Sequence, residues 1–472
     1  MPLTLRHSLA PRYNAETASD RQSSNCPSCS KSAIFPPGTD LHGSRTRPHR
    51  TPLRATMNRI PAQEIAPPML APTPPLIRIA VVTTAAPPSA NGQARVLGQI
   101  LAPGALAEPV YFTDQMNIVE LEQCHFGRHV ALAPPLFQLT ARRWGRLLGG
   151  LNRSGGLARS VLIRAGEIVE ALRTSPVDVV IGCSGNPFDL PATCLAARRL
   201  GLPFVAYLFD DPVYQWERGI YRSLARLSER LWSRGAAAVI VPNEVLAREV
   251  RQRISGAAVR IVRNPVDPAF IAAAETPRQD DFGLDGRAFH LLYTGSVYSA
   301  QASAFRNLVE ALDRLHGRFT LDIFTAQHAS DLVSRDLGSP YVITHPHASH
   351  AESIAHQRAA DVLFLPLAFD SPIPEVIQSS APAKLGEYLA SGRPILVHAP
   401  KGSFVTELIR DADAGVVVDT PDPNLLADAL QRIAADADLR TRIVANAAVL
   451  SREFLVERAR NDFVAVLTSV LH

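Results

Sequence analysis

Lys384 and Glu387 stand in the stretch SSAPAKLGEYLASGRPILV, residues Ser379–Val397. Residues three apart share one face of a helix. Pro382 suits the first turn of that helix, where its missing N–H is not needed. Leu385, Tyr388 and Leu389 recur at helical spacing and predict an apolar face. Gly392 and Pro394 end the helix before the buried strand Pro-Ile-Leu-Val. A helix N-terminus with a lysine beside it suits an anion such as phosphate. A glutamate one turn deeper can accept two hydrogen bonds from a sugar diol. An ordinary surface helix with an ion pair fits the same spacing.

Other groups could share that chemistry. Thr294-Gly295-Ser296 follows a strand; Gly295 allows close backbone approach and Ser296 adds a hydroxyl, as in a phosphate loop, although a plain turn reads the same. Asn91-Gly92 occupies the loop after the first strand, as a ligand-contacting loop or a simple turn. Asp210 and Asp211 end a strand before Pro212. There a carboxylate could orient an acceptor hydroxyl or cap a turn. His345, His347 and His350 have the spacing of metal ligands, but Ser349 and Glu352 make a capping box, so the segment reads as a loop and helix start. No metal site is expected.

These residues need a scaffold. Apolar runs alternate with helix-like segments from Ile77 onward, which predicts parallel sheets covered on both faces. IRIAVVTT (77–84), VDVVIGC (177–183), FVAYLFDD (204–211), AAVIVP (237–242) and VRIVRNPVD (259–267) form one series. HLLYTGS (290–296), FTLDIFT (319–325), YVITH (341–345), DVLFLPL (361–367), PILVH (394–398) and AGVVVDT (414–420) form a second. Ligands of such sheets bind outside the carboxyl ends of the strands. The expected division is a disordered extension over 1–75, a first domain over 76–268, a linker over 269–288 and a second domain over 289–472.

Composition narrows the class. A chain of 472 residues with 46% hydrophobic and 19% charged residues is globular and multidomain. Residues 1–75 hold nine Lys or Arg against four Asp or Glu, a net of +5 that exceeds the whole chain's +4. The basic excess therefore belongs to a Pro- and Ser-rich tail, and nucleic acid is not an expected partner. Met57 is an alternative start within that tail. The five cysteines give no disulfide framework; Cys124, Cys183 and Cys194 read as core thiols in a reducing compartment, and Cys26 with Cys29 lacks a second pair for zinc. Residues 141–164 carry Arg142, Arg143, Arg146, Arg153, Arg159 and Arg164 with no acid, interleaved with Trp144, Leu147, Leu148 and Leu151. This reads as a basic amphipathic element for an anionic membrane surface, or as a solvated helix with a core-facing leucine stripe.

PAKLGEYLASGRPILV, followed by AGVVVD, PDPNLLADAL and RNPVD, resembles the retaining, nucleotide-sugar-dependent glycosyltransferases of the GT-B fold, particularly the family 4-like group. The resemblance spans about residues 77–465. It implies an α/β fold of two Rossmann-like doubly wound domains facing across a cleft, with the last helix packing back on the first domain. It implies Glu387 on the donor ribose, Lys384, Gly295 and Ser296 on the diphosphate, and Asn91 and Gly92 in the acceptor-side loop. The wider family often places a second glutamate eight residues before the first. Here Ser379 stands there, so the sugar contact falls to Ser379, Ser380 or Glu375. The implied activity is hexosyl transfer to a saccharide or lipid-linked acceptor for cell-surface polysaccharide or glycolipid. No cofactor is implied, and the location is cytoplasmic or peripheral on the inner membrane face. An epimerase or hydrolase of the same fold, or a non-catalytic sugar-nucleotide-binding relative, are the alternatives.

Overall fold

The computed structural model describes residues 76–89, 91–102, 106–115, 126–134, 146–274 and 287–472. The expected tail, Cys26, Cys29, Cys124, Arg142 and Arg143 lie outside them.

Two parallel sheets organise the chain. The first contains β1 (Ile79–Val82), β2 (Val110–Thr113), β3 (Arg128–Ala131), β4 (Val179–Cys183), β5 (Phe204–Tyr207), β6 (Ala236–Val241) and β7 (Ala258–Ile261), in the order β3-β2-β1-β4-β5-β6-β7. The second contains β8 (Phe289–Thr294), β9 (Phe319–Phe324), β10 (Val342–His345), β11 (Val362–Pro366), β12 (Ile395–His398) and β13 (Val416–Val418), in the order β10-β9-β8-β11-β12-β13. Strand order reverses between β1 and β4 in one sheet and between β8 and β11 in the other. Such switch points open a crevice at the carboxyl ends of the strands. This is the doubly wound α/β architecture that the alternating pattern predicts.

The strands are apolar without alternation because both sheet faces are covered. Ala80 and Val82 pack on one side with Ile168 and Leu172 of the helix Arg146–Thr174, and with Ala192 and Ala196 of Asp189–Leu200. Ile79 and Val81 pack on the other with Ala459, Phe463, Val466 and Leu467 of the C-terminal helix Val456–Leu471. The last helix thus closes the first sheet, and Arg460 Nε donates to Gln99 O at 2.7 Å. The second sheet is covered by clusters that include Tyr388 and Leu385 on one side and Phe305 and Leu312 on the other.

Two local findings differ from the sequence reading. The segment expected to be a linker begins as a helix, Pro268–Ala274, with Phe270 packed into the core of the second sheet; residues 275–286 are not described. Arg164 is no surface cation. It is buried against Asp189, with its other nitrogen 2.9 Å from Asp114 Oδ2 and a third contact to Ala133 O. A charge removed from water needs such compensation, so Arg164 ties helix, strand end and loop together and does not contribute to a membrane-facing stripe. Arg159, one turn earlier, is exposed.

Candidate functional site

The helix Lys384–Ala390 buries Leu385, Tyr388 and Leu389 to 1% exposure or less, as its periodicity predicts. Gly386 is required by packing: a Cβ there would lie 3.1 Å from Val266 Cβ and 3.4 Å from Phe454 Cβ. This draws the helix against the crossing from first to second sheet. Gly392, at φ +73°, ends it.

Lys384 turns back toward the end of β8. Its ammonium lies 3.8 Å from the centre of the Tyr293 ring, a cation–π contact. Gly295 sits beneath it at φ +118°, and a Cβ on Gly295 would come within 3.1 Å of Nζ. Glycine therefore serves both the left-handed backbone and the room for the ammonium. Burial pushes the Lys384 pKa down to about 7, with Glu387 acting in the opposite direction. Ser296 is exposed beside it, its carbonyl accepting from Tyr293 Oη at 2.9 Å.

Glu387 is only 7% exposed. Its Oε1 accepts from Arg95 at 2.8 Å and its Oε2 from Gln357 Nε2 at 3.1 Å. Arg95 belongs to the first helix, Gly92–Ile100, so this ion pair joins the two sheets' carboxyl ends. Glu387 is thus held from both sides of the opening. Gln357 is fully buried and its Oε1 has no hydrogen-bond partner.

Asn91 and Gly92 begin that first helix. Asn91 Oδ1 accepts from Gln93 N at 2.8 Å, an N-cap. Both residues are exposed, three and four positions before Arg95.

Further pairs span the same opening. Arg222 donates to both Glu375 oxygens at 3.0 and 3.4 Å. Against desolvation, the helix backbone and Arg222 hold the Glu375 carboxyl below its usual range. Ser379 directs its hydroxyl to Glu375 O at 3.2 Å, and its own carbonyl accepts from Asn243 Nδ2 at 2.8 Å. Its hydroxyl is thus spent on the helix Pro374–Ser379, while half-buried Ser380 is the cap that follows. His350 lies 3.1 Å from Asp267, and that hydrogen bond raises the His350 pKa and lowers that of Asp267.

The two aspartates after β5 separate cleanly. Asp211 is 1% exposed; Oδ1 accepts from Val213 N and Tyr214 N at 2.9 Å each, and Oδ2 from Arg253 at 2.8 Å. Its carboxylate is a turn cap and ion-pair partner with no lone pair directed to a substrate. Asp210 is accessible, and no donor of the described residues meets its carboxylate. Protein surrounds it closely enough that desolvation, and secondly the Asp211 charge, raises its pKa.

The capping box is present as expected: Ser349 Oγ accepts from Glu352 N at 3.3 Å, and Glu352 Oε2 from Ser349 N at 2.8 Å. His345 pairs with Asp322 at 2.6 Å and stacks on Phe324. Among the described residues no three His, Cys, Asp or Glu side chains converge as metal ligands.

Sequence reasoning missed Arg95, Gln357 and Arg222. Only Arg95 carried a signal, as a cation one turn into the helix that Asn91 caps.

Residues 91–267 match the model of the glycosyl transferase 4-like domain, and residues 288–436 match that of glycosyl transferases group 1. Alpha-D-kanosaminyltransferase of Streptomyces kanamyceticus is 26% identical over 288 residues, covering 57% of this chain and 70% of the relative. A glycosyltransferase of Rickettsia africae superposes with a TM-score of 0.60 at 14% identity, covering 84% of this chain and 99% of that one. Anabaena HepE in complex with UDP-glucose gives 0.59 at 16% identity, covering 83% and 100%. With two facing α/β domains, both halves matched and the glycine–lysine–glutamate group at the switch point, the chain belongs to the group 1 glycosyltransferases and has the GT-B fold.

Proposed function

We propose that this glycosyltransferase moves a hexosyl unit from a nucleotide-sugar donor to a saccharide or lipid-linked acceptor, with retention, in the synthesis of cell-surface polysaccharide or glycolipid. The observation that carries the reading is the placement of Lys384 over Gly295 with Glu387 one turn deeper. A solved relative is bound to UDP-glucose, and a sequence relative is named for transfer of an amino sugar, which supports a nucleotide-sugar donor and a hexosyl group.

In this reading Glu387 accepts from the ribose hydroxyls, displacing Arg95 from Oε1. Lys384, with the Gly295–Ser296 backbone, meets the diphosphate. Ser380 and the loop beside Glu375 face the sugar, and Ser379 holds that loop in place. The Asn91–Gly92 turn lets the acceptor side approach. The bond from the anomeric carbon to the diphosphate oxygen breaks, and the acceptor oxygen bonds to that carbon on the same face. The acceptor proton passes to the departing phosphate oxygen. Lys384 offsets the charge developing on the leaving group, which is where a preorganised cation lowers a barrier most. Asp210 accepts from a neighbouring hydroxyl of the acceptor and so orients the attacking one toward the anomeric carbon. Asp211 acts only through the turn it caps. No metal is needed in this scheme, and activity is expected to survive a chelator.

The test is donor consumption across a panel of nucleotide sugars, with and without acceptor, and the product followed by NMR. Acceptor-dependent release of nucleoside diphosphate with the donor's anomeric configuration in the product is expected. Acceptor-independent hydrolysis or an epimerised donor overturns the reading. Asp210→Asn should raise the acceptor KM about tenfold with donor binding unchanged, as befits one charge-assisted hydrogen bond. An unchanged acceptor KM removes Asp210 from the site.

Among the described residues no helix is long and apolar enough to cross a membrane.

A further inference from the structure

The helix Ile220–Trp232 divides its charges by face. Inward, Arg222 pairs with Glu375, and Glu229 pairs with Arg253 at 3.1 Å; Ala225, Ser228 and Trp232 complete the buried side. Outward stand Arg226, Leu227, Arg230, Leu231 and, in the following turn, Arg234, all exposed. Leu227 is 55% and Leu231 63% exposed, among the most exposed large apolar side chains described. Arg226 lies over the Tyr214 ring and within reach of the Glu229 charge, while no carboxylate of the described residues pairs with Arg230 or Arg234, so the face carries three exposed cations around two leucines one turn apart. The helix Asp189–Leu200 packs against both this one and Arg146–Thr174, which carries exposed Arg159, Leu162 and Ile163.

We propose that this face, Arg226 to Arg234, docks the protein on an anionic lipid surface. Leucines reach below the headgroups while the guanidinium groups stay at their level, the arrangement of a helix lying in an interface. A lipid surface requires the apolar ridge and its cations and no matched shape. A second copy is disfavoured, because the same face meeting itself sets arginine against arginine. The proposal is independent of the transfer reading. It also relocates the membrane contact that the arginine-rich segment suggested, whose Arg164 is buried.

The test is flotation of the full chain with vesicles of phosphatidylcholine alone and of phosphatidylcholine with phosphatidylglycerol, at low and high salt. Binding is expected to the anionic vesicles only and to weaken with salt. Each of Arg226→Gln, Arg230→Gln and Arg234→Gln should weaken it about fivefold. Leu227→Ser with Leu231→Ser should also release the protein, with the circular-dichroism melting curve unchanged because both side chains are exposed. Equal binding to neutral vesicles, or no binding to either, overturns the proposal. So does binding that survives these variants but is lost in Arg142→Gln/Arg143→Gln/Arg146→Gln, which places the surface elsewhere. A dimer in sedimentation that the leucine variants dissociate identifies a second copy as the occupant and also overturns it.

Discussion

Lys384→Met is expected to lower turnover by about a hundred- to a thousand-fold, the usual effect of removing one preorganised charge from a developing anion. Methionine keeps the chain length and the contact with Tyr293, so the fold should persist. The substitution also carries a pH signature. In the empty protein Lys384 titrates near 7 because burial disfavours the ammonium. A bound diphosphate favours the ammonium and raises that pKa. Below pH about 7 the lysine is charged with or without donor, and affinity is at its maximum. Above it, binding must take up a proton, and affinity falls as pH rises toward the bound-state value. Calorimetry in two buffers of different ionisation enthalpy reads that uptake directly. The uptake should vanish in Lys384→Met; uptake unchanged in the variant assigns it to another group.

The sign for stability is opposite to that of a stabilised cation. The folded pKa lies below the unfolded one, so the burial cost is fully present below pH about 7 and declines as pH rises from there toward the unfolded value of 10.5. Lys384→Met should therefore stabilise the empty protein most at low pH. A site that is destabilised for the sake of its ligand behaves in this way.

Glu387→Gln is expected to weaken donor binding about ten- to a hundred-fold, from charge-assisted bonds of about 1.5–3 kcal/mol and ~1.4 kcal/mol per factor of ten. The structure adds a second consequence. The variant loses the ion pair to Arg95 while Gln357 can still donate to the remaining oxygen. Arg95→Gln should then have the reverse effect on the nucleoside portion, since it removes the competitor at Oε1 while leaving the carboxylate. Measuring both by isothermal titration with the nucleoside diphosphate separates the two roles.

The architecture was legible wherever burial on both faces made a strand continuously apolar. Eleven strands of the two sheets coincide with the runs read from the sequence, three of them (β6, β7 and β8) starting one residue earlier; β2 and β3 have no such run. Each has four residues, and β3 reads Arg-His-Val-Ala, with an exposed arginine at its start. β3 is the edge strand, where the apolar run that marks a central strand is lost; β2, Val-Tyr-Phe-Thr, lies inside the sheet and is largely buried, a short apolar run that the sequence reading overlooked. The capping box at Ser349 and the apolar face of Lys384–Ala390 were also legible, because both rest on spacings of three and four residues. The contacts across the opening were not. Arg95 is 292 residues from Glu387, and Arg222 is 153 from Glu375. No local period connects such partners; they meet only because two switch points face each other. Asp210 and Asp211 were indistinguishable for a related reason. Both lie in the turn after β5, and the Val213 and Tyr214 amides with Arg253 decide that Asp211 is the one consumed internally.

The central claim is that Glu387 and Lys384 form the donor end of a sugar-transfer site, and deoxy donors test it most directly. Affinities of the parent donor and its 2′-deoxy and 3′-deoxy ribose analogues are measured on the wild-type chain and on Glu387→Gln. If the carboxylate holds both hydroxyls, each deoxy donor binds the wild type about tenfold more weakly and loses little further in the variant, because the same bonds have already been removed. If Glu387→Gln leaves the donor affinity untouched in a folded protein, or if the losses simply add, Glu387 does not bind the ribose and the helix Lys384–Ala390 is only a buried structural element.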